Sequence, residues 1–358
     1  MASIQEYLKV FETHEEYEEY ITGDTMVTPN VSYCEDMEDL HYNPYESILV
    51  ATFNVEDSSE PTSLYFYRNS AEAQSIGENM FSKIKIDGEE VAIWRIDQTN
   101  GTYPLTNGVH TVEYSLLNPT KIGIDEEAHE INAIFMNCDR LVNVVIPDTV
   151  IDIYGFAFSL CENLTSVTIP SNVTNIGEEA FSNCWALTSV ELPNSLTNIG
   201  EGAFAICSAL TSIEIPTSVT NIDESAFEEC VNITDIEIPN GITIIKDSTF
   251  NGCNSATSVT IPNSVINIGN YAFSWCNNLT SVTIPSSVTS IGDNAFDECE
   301  VLTNITSLPT TPPTLGNEYS LSLQVVEVIY VPSESVEAYK AATNWSTYAN
   351  QIQAIPTT

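Results

Sequence analysis

A motif of 23 residues recurs along the middle of the chain, and it limits the folds that are open to this sequence. Cysteine returns eight times at that constant spacing, and phenylalanine precedes each of these cysteines by three residues. One copy, Leu164 to Ala186, reads LTSVTIPSNVTNIGEEAFSNCWA. Self-similarity with a period of roughly 20 to 50 residues predicts a repeat architecture in which every copy forms one coil of a solenoid.

The chemistry of the motif predicts the shape of one coil. In Leu-x-x-Val-x-Ile the β-branched residues suit a pleated, half-buried strand, and the proline that follows ends the strand because it has no N–H to donate. Val-x-x-Ile predicts a second short extended segment, and Ala-Phe-x-x-Cys predicts a short helical turn whose phenylalanine fills the interior. We therefore predict a mainly β fold with short helical turns, a leucine-rich-repeat solenoid of about eight coils that stack to bury their apolar faces.

The phenylalanine and cysteine columns are predicted to form the core of this stack. Disulfides between coils are one alternative, since coils about 4.8 Å apart satisfy the distance limit, but equivalent Cβ vectors run parallel and do not face each other. Metal binding is another, yet no histidine lies between Arg140 and Thr358 and no Cys-x-x-Cys pair occurs. We predict free, buried cysteines, no metal site and no cofactor. The representative core residues are Phe158, Cys161, Phe181, Cys184, Phe204, Cys207, Phe227 and Cys230.

The charge balance excludes several classes of function. Fifty acidic residues stand against nine basic ones, a formal net charge of −41. Such a chain repels phosphate backbones and anionic lipid headgroups, so we expect no nucleic-acid partner and no membrane insertion. The four histidines lie outside the regular coils, so a serine or cysteine of the array has no histidine base within the array. We predict no catalytic residues and no enzymatic activity.

Composition divides the chain into four regions. Residues 1–45 carry eleven acidic residues and one lysine, which predicts an acidic arm that is extended or bound to a partner. Residues 46–120 alternate apolar and polar residues in short runs, which predicts a small β-rich domain or N-terminal cap. The solenoid is predicted over residues 121–310, and residues 311–358 are predicted to cap its last coil, as the open end of a solenoid requires.

The outward positions of the first strand are candidate ligand-binding positions. Three glutamates there are expected to stack about 5 Å apart and repel one another, which a bound cation or a basic partner would relieve. Solvation with screening counter-ions is the alternative. Two tryptophans beside the cysteine turn are either exposed anchors for a partner or partly buried. The candidate ligand-binding residues are Ser189, Glu191, Ser212, Glu214, Asp235, Glu237, Trp185 and Trp275.

A column of asparagines on the second strand has a structural interpretation. Asn175, Asn198, Asn221 and Asn267 stand at equivalent positions of the repeat. Stacked asparagines hydrogen-bond through their amides from one strand to the next. We therefore predict that this column has a structural role and joins neighbouring coils.

The repeat resembles the BspA-like leucine-rich repeat, also called the Treponema pallidum type. Segments such as LTSVTIPSSVTSIGDNAFDEC, Leu279 to Cys299, carry the resemblance, which covers about residues 132–310. It implies a surface or secreted adhesin without catalytic activity in the repeats. The segment from Ile329 to Ile355 looks like the C-terminal cap of such arrays in gut Bacteroidetes proteins.

The segment TPNVSYCEDMEDLHYNPY, Thr28 to Tyr45, is similar to segments of virion proteins of gut Bacteroides phages. The N-terminus lacks a basic n-region and an apolar h-region, so we expect no secretory signal peptide. We therefore predict a virion surface protein, a fibre or decoration protein. Its N-terminal region would bind other virion proteins and its solenoid a host-surface glycan or protein, with a homotrimer expected by analogy with fibre proteins. The alternatives are a bacterial cell-surface adhesin and a purely structural virion spacer.

Overall fold

A computed structural model of the chain describes residues 135–356, apart from residues 139 and 323, and the backbone of the strands that precede them. The predicted acidic arm and the segment that resembles phage virion proteins lie outside the described residues, except for two short parallel strands. The strands before residue 135 are β1 (Leu8–Phe11), β2 (Val31–Cys34), β3 (Glu46–Val55), β4 (Phe81–Ile86), β5 (Glu89–Val91), β6 (Gly108–Leu117), β7 (Lys121–Asp125) and β8 (Glu130–Asn132).

Four of these strands form an antiparallel sheet that joins the first coil of the solenoid. β3 pairs with β6, β6 with β4, and β4 with β5. β3 also pairs antiparallel with β9 (Leu141–Val145), the first strand of the first regular coil. That strand therefore has a hydrogen-bonded neighbour on its outer side and does not end the sheet with an open edge. The four strands fall within the β-rich region predicted over residues 46–120, whose boundaries stay a prediction.

From residue 135 onward the chain repeats a coil with two short parallel strands. Equivalent residues of neighbouring coils face each other, as Val167 faces Val190 and Ile176 faces Ile199. The predicted solenoid fold is confirmed. The first strands after β9 are β11 (Ser166–Thr168), β13 (Ser189–Val190), β16 (Asp235–Glu237), β18 (Ser258–Thr260), β20 (Ser281–Ile284), β22 (Asn304–Ser307), β24 (Val328–Val331) and β25 (Ile352–Ala354). The second strands after β7 are β10 (Asp152–Ile153), β12 (Asn175–Ile176), β14 (Asn198–Ile199), β15 (Asn221–Ile222), β17 (Ile244–Ile245), β19 (Asn267–Ile268), β21 (Ser290–Ile291) and β23 (Thr314–Leu315).

The predicted core columns fill the interior of the stack. Eight phenyl rings, from Phe135 to Phe296, lie parallel with centroids 5.1 to 5.6 Å apart. Such ring pairs contribute about 0.5–1.5 kcal/mol each beyond their burial. The thiols from Cys161 to Cys299 each donate to the carbonyl oxygen of the phenylalanine 26 residues earlier, at 2.9 to 3.5 Å. Free, buried cysteines are confirmed at all eight repeat positions, and every representative core residue named above is fully buried.

Glycine after the second strand lets neighbouring coils approach closely. A Cβ atom on Gly200 would lie 2.6 Å from the carbonyl carbon of Gly177, a distance that real Cβ atoms essentially never show. Two consecutive coils instead carry Asp223 and Lys246 here, and these side chains form an ion pair with Nζ 2.7 Å from Oδ1. β15 and β17, which end directly before them, are not paired, although all other consecutive second strands from β7 to β23 are. We call this break the seam.

Short helices close the last coil. The side chains of Tyr339 and Trp345 are fully buried and stack edge-on with ring centroids 4.7 Å apart. The Tyr339 hydroxyl donates to the Pro309 carbonyl at 2.8 Å, and Trp345 Nε1 donates to the Pro313 carbonyl at 2.6 Å. Within the described residues no helix has the length and apolar character needed to cross a bilayer. The helices are η1 (Ser333–Ser335), α1 (Val336–Ala341) and η2 (Trp345–Tyr348).

Candidate functional site

The outward side chains of the first strands lie on one side of the solenoid, which we call the strand face. Ser212 and Glu214 were expected on a strand, but the structure has none over residues 212–214. Their coil also carries Asp223 and therefore borders the seam. The amide of Thr211 donates to the Thr188 carbonyl at a long 3.5 Å. This coil is therefore joined to the preceding one at this point by a weaker hydrogen bond. The six predicted strand-face residues are all exposed: Ser189, Glu191, Ser212, Glu214, Asp235 and Glu237.

The three glutamates of this face carry unpaired charge. None of Glu191, Glu214 and Glu237 has a hydrogen-bond or ion-pair partner among the described residues. The three carboxylates belong to consecutive coils, and like charges on neighbouring coils destabilise the free protein slightly. In the described part of the chain, no group of three or more His, Cys, Asp and Glu side chains is arranged to hold a metal ion.

Asp235 differs from the three glutamates because the protein already occupies its carboxylate. Ser258 Oγ donates to Oδ1 at 2.7 Å and Thr234 Oγ1 donates to Oδ2 at 2.8 Å. The hydrogen bonds from Ser258 and then Thr234 hold the pKa of Asp235 below its usual value. Asp235 is therefore an ordered edge of the strand face and offers fewer free acceptor positions than the glutamates do.

A threonine column beside the strand face holds the coils together. Thr165 Oγ1 donates to the Val142 carbonyl at 3.0 Å, Thr188 Oγ1 to the Thr165 carbonyl at 3.4 Å, and Thr257 Oγ1 to the Thr234 carbonyl at 3.3 Å. These hydroxyls are exposed, but their protons are used inside the protein. Sequence reasoning missed this column, although threonine precedes Ser189, Ser212 and Asp235 at the repeat period.

The two predicted tryptophans are exposed but are not brought together. Trp185 is 47% exposed and Trp275 is 50% exposed, so about half of each side chain can contact a partner. Trp185 directly follows a repeat cysteine whereas Trp275 directly precedes one. Their coils are four steps apart, a separation of about 20 Å. They therefore cannot form one small site.

The asparagine column is structural, as predicted. Asn198 Nδ2 donates to Asn175 Oδ1 at 2.7 Å, and Asn221 Nδ2 donates to Asn198 Oδ1 at 2.6 Å. Asn267 Oδ1 accepts from Ser290 Oγ at 2.8 Å. Each amide spans two coils, so the column adds a line of bonds beside the second sheet.

The buried cysteines are poor nucleophiles. Burial raises the pKa of the Cys184 thiol to about 12, and the same cause raises the pKa of Cys230 and Cys299 to about 12. The thiolate is the reactive form of cysteine, and it is scarce at neutral pH when the pKa is so high. The repeat cysteines thus serve packing and hydrogen bonding.

The pattern of the BspA type leucine-rich repeat region matches residues 130–257 and 220–342, in six copies. The two matches together extend from β8 to α1, more than half of the 358-residue chain. A search of curated proteins finds no match.

Solved structures with the same kind of repeat are also similar. A leucine-rich repeat protein of T. pallidum is 30% identical, over 50% of this chain and 78% of its own, with a TM-score of 0.37. A leucine-rich repeat protein from Bacteroides ovatus is 22% identical, over 71% of this chain and 90% of its own, with a TM-score of 0.29. A leucine rich cell surface protein from Faecalibacterium prausnitzii is 25% identical, over 68% of this chain and 84% of its own, with a TM-score of 0.30.

Proposed function

We propose that this chain, which belongs to the BspA type leucine-rich repeat family, is a non-enzymatic binding protein. Its strand face would bind a partner while the protein itself is displayed on the surface of a cell or particle. The observation that carries the proposal is the row of three exposed, unpaired glutamates, Glu191, Glu214 and Glu237, on consecutive coils. They belong to coils that are held by the stacked phenyl rings and by hydrogen bonds between coils, so little ordering is needed on binding.

The chemistry of the strand face defines the partner's contacting groups. The glutamates are acceptors only, and the Thr188 and Thr234 hydroxyls on the same coils as Glu191 and Glu237 donate within the protein. A partner that contacts these carboxylates must therefore supply donors, which ammonium and guanidinium groups of a protein or hydroxyl groups of a glycan provide. Positive charge on the partner would also relieve the repulsion among the three carboxylates.

The finer proposal is that the protein is displayed on the surface of a phage particle. The resemblance of residues 28–45 to segments of Bacteroides phage virion proteins supports it. The protein would then be a fibre or decoration protein whose N-terminal region binds other virion proteins and whose strand face binds a host-surface glycan or protein. By analogy with fibre proteins, it would be a homotrimer. A bacterial cell-surface adhesin is the second candidate, because adhesins of this repeat family carry the same kind of solenoid.

Charge reversal tests the binding face. The variant Glu191→Lys, Glu214→Lys, Glu237→Lys should lose attachment to Bacteroides cells, measured with labelled protein by flow cytometry. The matched control reverses three exposed carboxylates elsewhere, Asp148, Glu201 and Glu224, with the same change in net charge. Unchanged attachment of the first variant, or equal loss in both, would remove the strand face from the proposal.

Location is tested separately, by proteomics and immunogold microscopy of purified virions and of cell-envelope fractions from the source. Signal on the virion supports the particle component. Signal only on the bacterial envelope overturns the phage assignment and leaves the adhesin.

A further inference from the structure

A second surface, on the turns that follow the second strands β19 and β23, carries exposed aromatic rings. Four aromatic side chains in the described residues are strongly exposed, and three of them lie on this surface. Tyr271 and Trp275 belong to one coil, at 46% and 50% exposure, and Tyr319 is 45% exposed. The bridge between Phe296 and Leu321 places Tyr319 two coils beyond Tyr271, with one coil between them. We call the surface around these three rings the aromatic face.

The backbone beneath the rings is in an unusual conformation for large side chains. Tyr271 has φ 54° and Trp275 has φ 60°, in the left-handed region where glycine and asparagine are favoured. The preceding coil carries the small residues Ser248 and Gly252 at the same two positions. Neither residue covers the rings from that side, so both rings stand open to solvent.

Carboxylates and amides fill the coil between the two tyrosines. Asn317 Nδ2 donates to Asn294 Oδ1 at 2.6 Å, and Asn294 Nδ2 donates to Asp297 Oδ2 at 2.7 Å. The exposed carboxylates of Asp293 and Glu298 lie on the same coil. No basic residue occurs anywhere from residue 247 to residue 339. The aromatic face therefore consists of aromatic rings among amides and carboxylates, and the charged side chains of this part of the chain are all negative.

We propose that the aromatic face binds a lysine- or arginine-bearing segment of a partner protein. Cations are attracted to the faces of tryptophan and tyrosine rings, and arginine stacks on them as a plane. Carboxylates around the rings attract the same groups and steer their approach. Exposed tryptophan and tyrosine are also the side chains that most often dominate the energy of a protein interface.

This surface is independent of the strand face. Its rings are carried by the turns of the coils from residue 271 to residue 319, whereas the three glutamates are carried by coils between residues 191 and 237. Either surface can therefore fail its test while the other passes.

The left-handed backbone makes a clean test available. The double variant Tyr271→Gly, Trp275→Gly removes both rings, and glycine suits φ values near +60° better than the native residues do. Gly252 already occupies the position equivalent to Trp275 in the neighbouring coil. We expect the double variant to fold, with an unchanged far-ultraviolet circular dichroism spectrum and thermal midpoint.

Binding is measured by fluorescence anisotropy with a labelled peptide of alternating arginine and glycine at physiological salt, and with a glutamine-for-arginine version. The full chain should bind the arginine peptide at least about tenfold more tightly than the double variant does. Trp185→Ala, which removes an equally exposed ring elsewhere, should change affinity less than about twofold. Trp275→Phe should keep most of the affinity, because it keeps a ring.

Equal loss in Trp185→Ala and the double variant, or no loss in either, would show unspecific attraction to an acidic chain and overturn the proposal. Equal binding of the glutamine peptide would also overturn it, because charge would then play no part. A neutral oligosaccharide such as maltohexaose that binds the full chain and not the double variant would assign the face to sugars instead.

Discussion

Two kinds of junction between coils occur in this solenoid. At one of them Asp223 and Lys246 replace the repeat glycine, and Ile244 also interrupts the asparagine column. Between the coils of Gly177 and Gly200 the backbones are in close approach and the second strands pair. Between the coils of Asp223 and Lys246 the strands do not pair, and an ion pair joins the side chains instead. The phenyl rings remain stacked across both, with centroids 5.3 Å apart from Phe181 to Phe204 and 5.4 Å apart from Phe227 to Phe250.

The difference shows which columns of the repeat set the stack and which adjust to it. The ring column is continuous through the seam, so interior packing fixes the distance between coils. Among the second strands, pairing is absent at the junction where both coils carry a side chain in place of the repeat glycine. The two coils of the seam approach each other closely at another point, Gly241. A Cβ on Gly241 would lie 2.6 Å from the Val219 carbonyl oxygen of the preceding coil.

The largest effect is expected from placing a side chain at a glycine junction. Gly200→Ala should lower the free energy of unfolding by about 2–3 kcal/mol, because the new Cβ meets the backbone of Gly177 and Glu178 and not a flexible side chain. Asp223→Ala, at the seam, should cost about 1 kcal/mol. Urea denaturation followed by circular dichroism measures both. Equal losses would mean that the two junctions do not differ in closeness.

Removing the cation at the seam should have a smaller effect. Lys246→Met leaves Asp223 without its ion-pair partner, and both side chains are about one-third exposed, so solvent screening limits the loss to about 1 kcal/mol. Lys340→Met is the matched control, since Lys340 Nζ lies 3.9 Å from the carboxylate of Glu337, which is 89% exposed. Lys340→Met should leave the urea midpoint unchanged. If it lowers the midpoint as much as Lys246→Met does, the ion pair of the seam contributes no more to stability than an exposed pair.

The smallest expected effect is a pH dependence at the seam. Burial works to raise the pKa of Asp223, but hydrogen bonds from Lys246 and the Glu224 amide, with the charge of Lys246, hold it below 3.8. A lowered folded pKa stabilises the protein above the unfolded value and loses that contribution as pH falls through the folded value. The stability difference between the native chain and Asp223→Asn should be constant from about pH 7 to 5 and shrink below pH 3.8. A difference that persists at pH 2 would contradict this origin.

The period of the sequence was sufficient to predict the solenoid, its ring and cysteine core, and the asparagine column. Each of these depends on equivalent residues that face one another, which a constant spacing guarantees. The seam was also visible in the sequence, because Asp223 and Lys246 replace glycine in consecutive copies and carry opposite charges. What could not be predicted is that the second strands do not pair at this junction, since that depends on distances between backbones.

The candidate surfaces were predicted less completely. The glutamate row of the strand face follows from the alternation of strand residues, whereas the aromatic face does not follow from any local pattern. Tyr271 and Trp275 adopt left-handed conformations that their own residue types disfavour. Stacking imposes that conformation: the Tyr271 amide bonds to the Asp293 carbonyl at 2.9 Å and the Trp275 amide to the Asp297 carbonyl at 2.9 Å. Only the assembled stack reveals where these rings point.

The column of buried thiols has a consequence for where this protein can work. The repeat cysteines form no disulfides, and each is buried in the interior of the solenoid. Reducing agents have no bond to break there, and oxidants find almost no thiolate to attack. The described solenoid therefore needs no oxidative maturation step, and it keeps one architecture in the reducing interior of a cell and in the oxidising medium outside it.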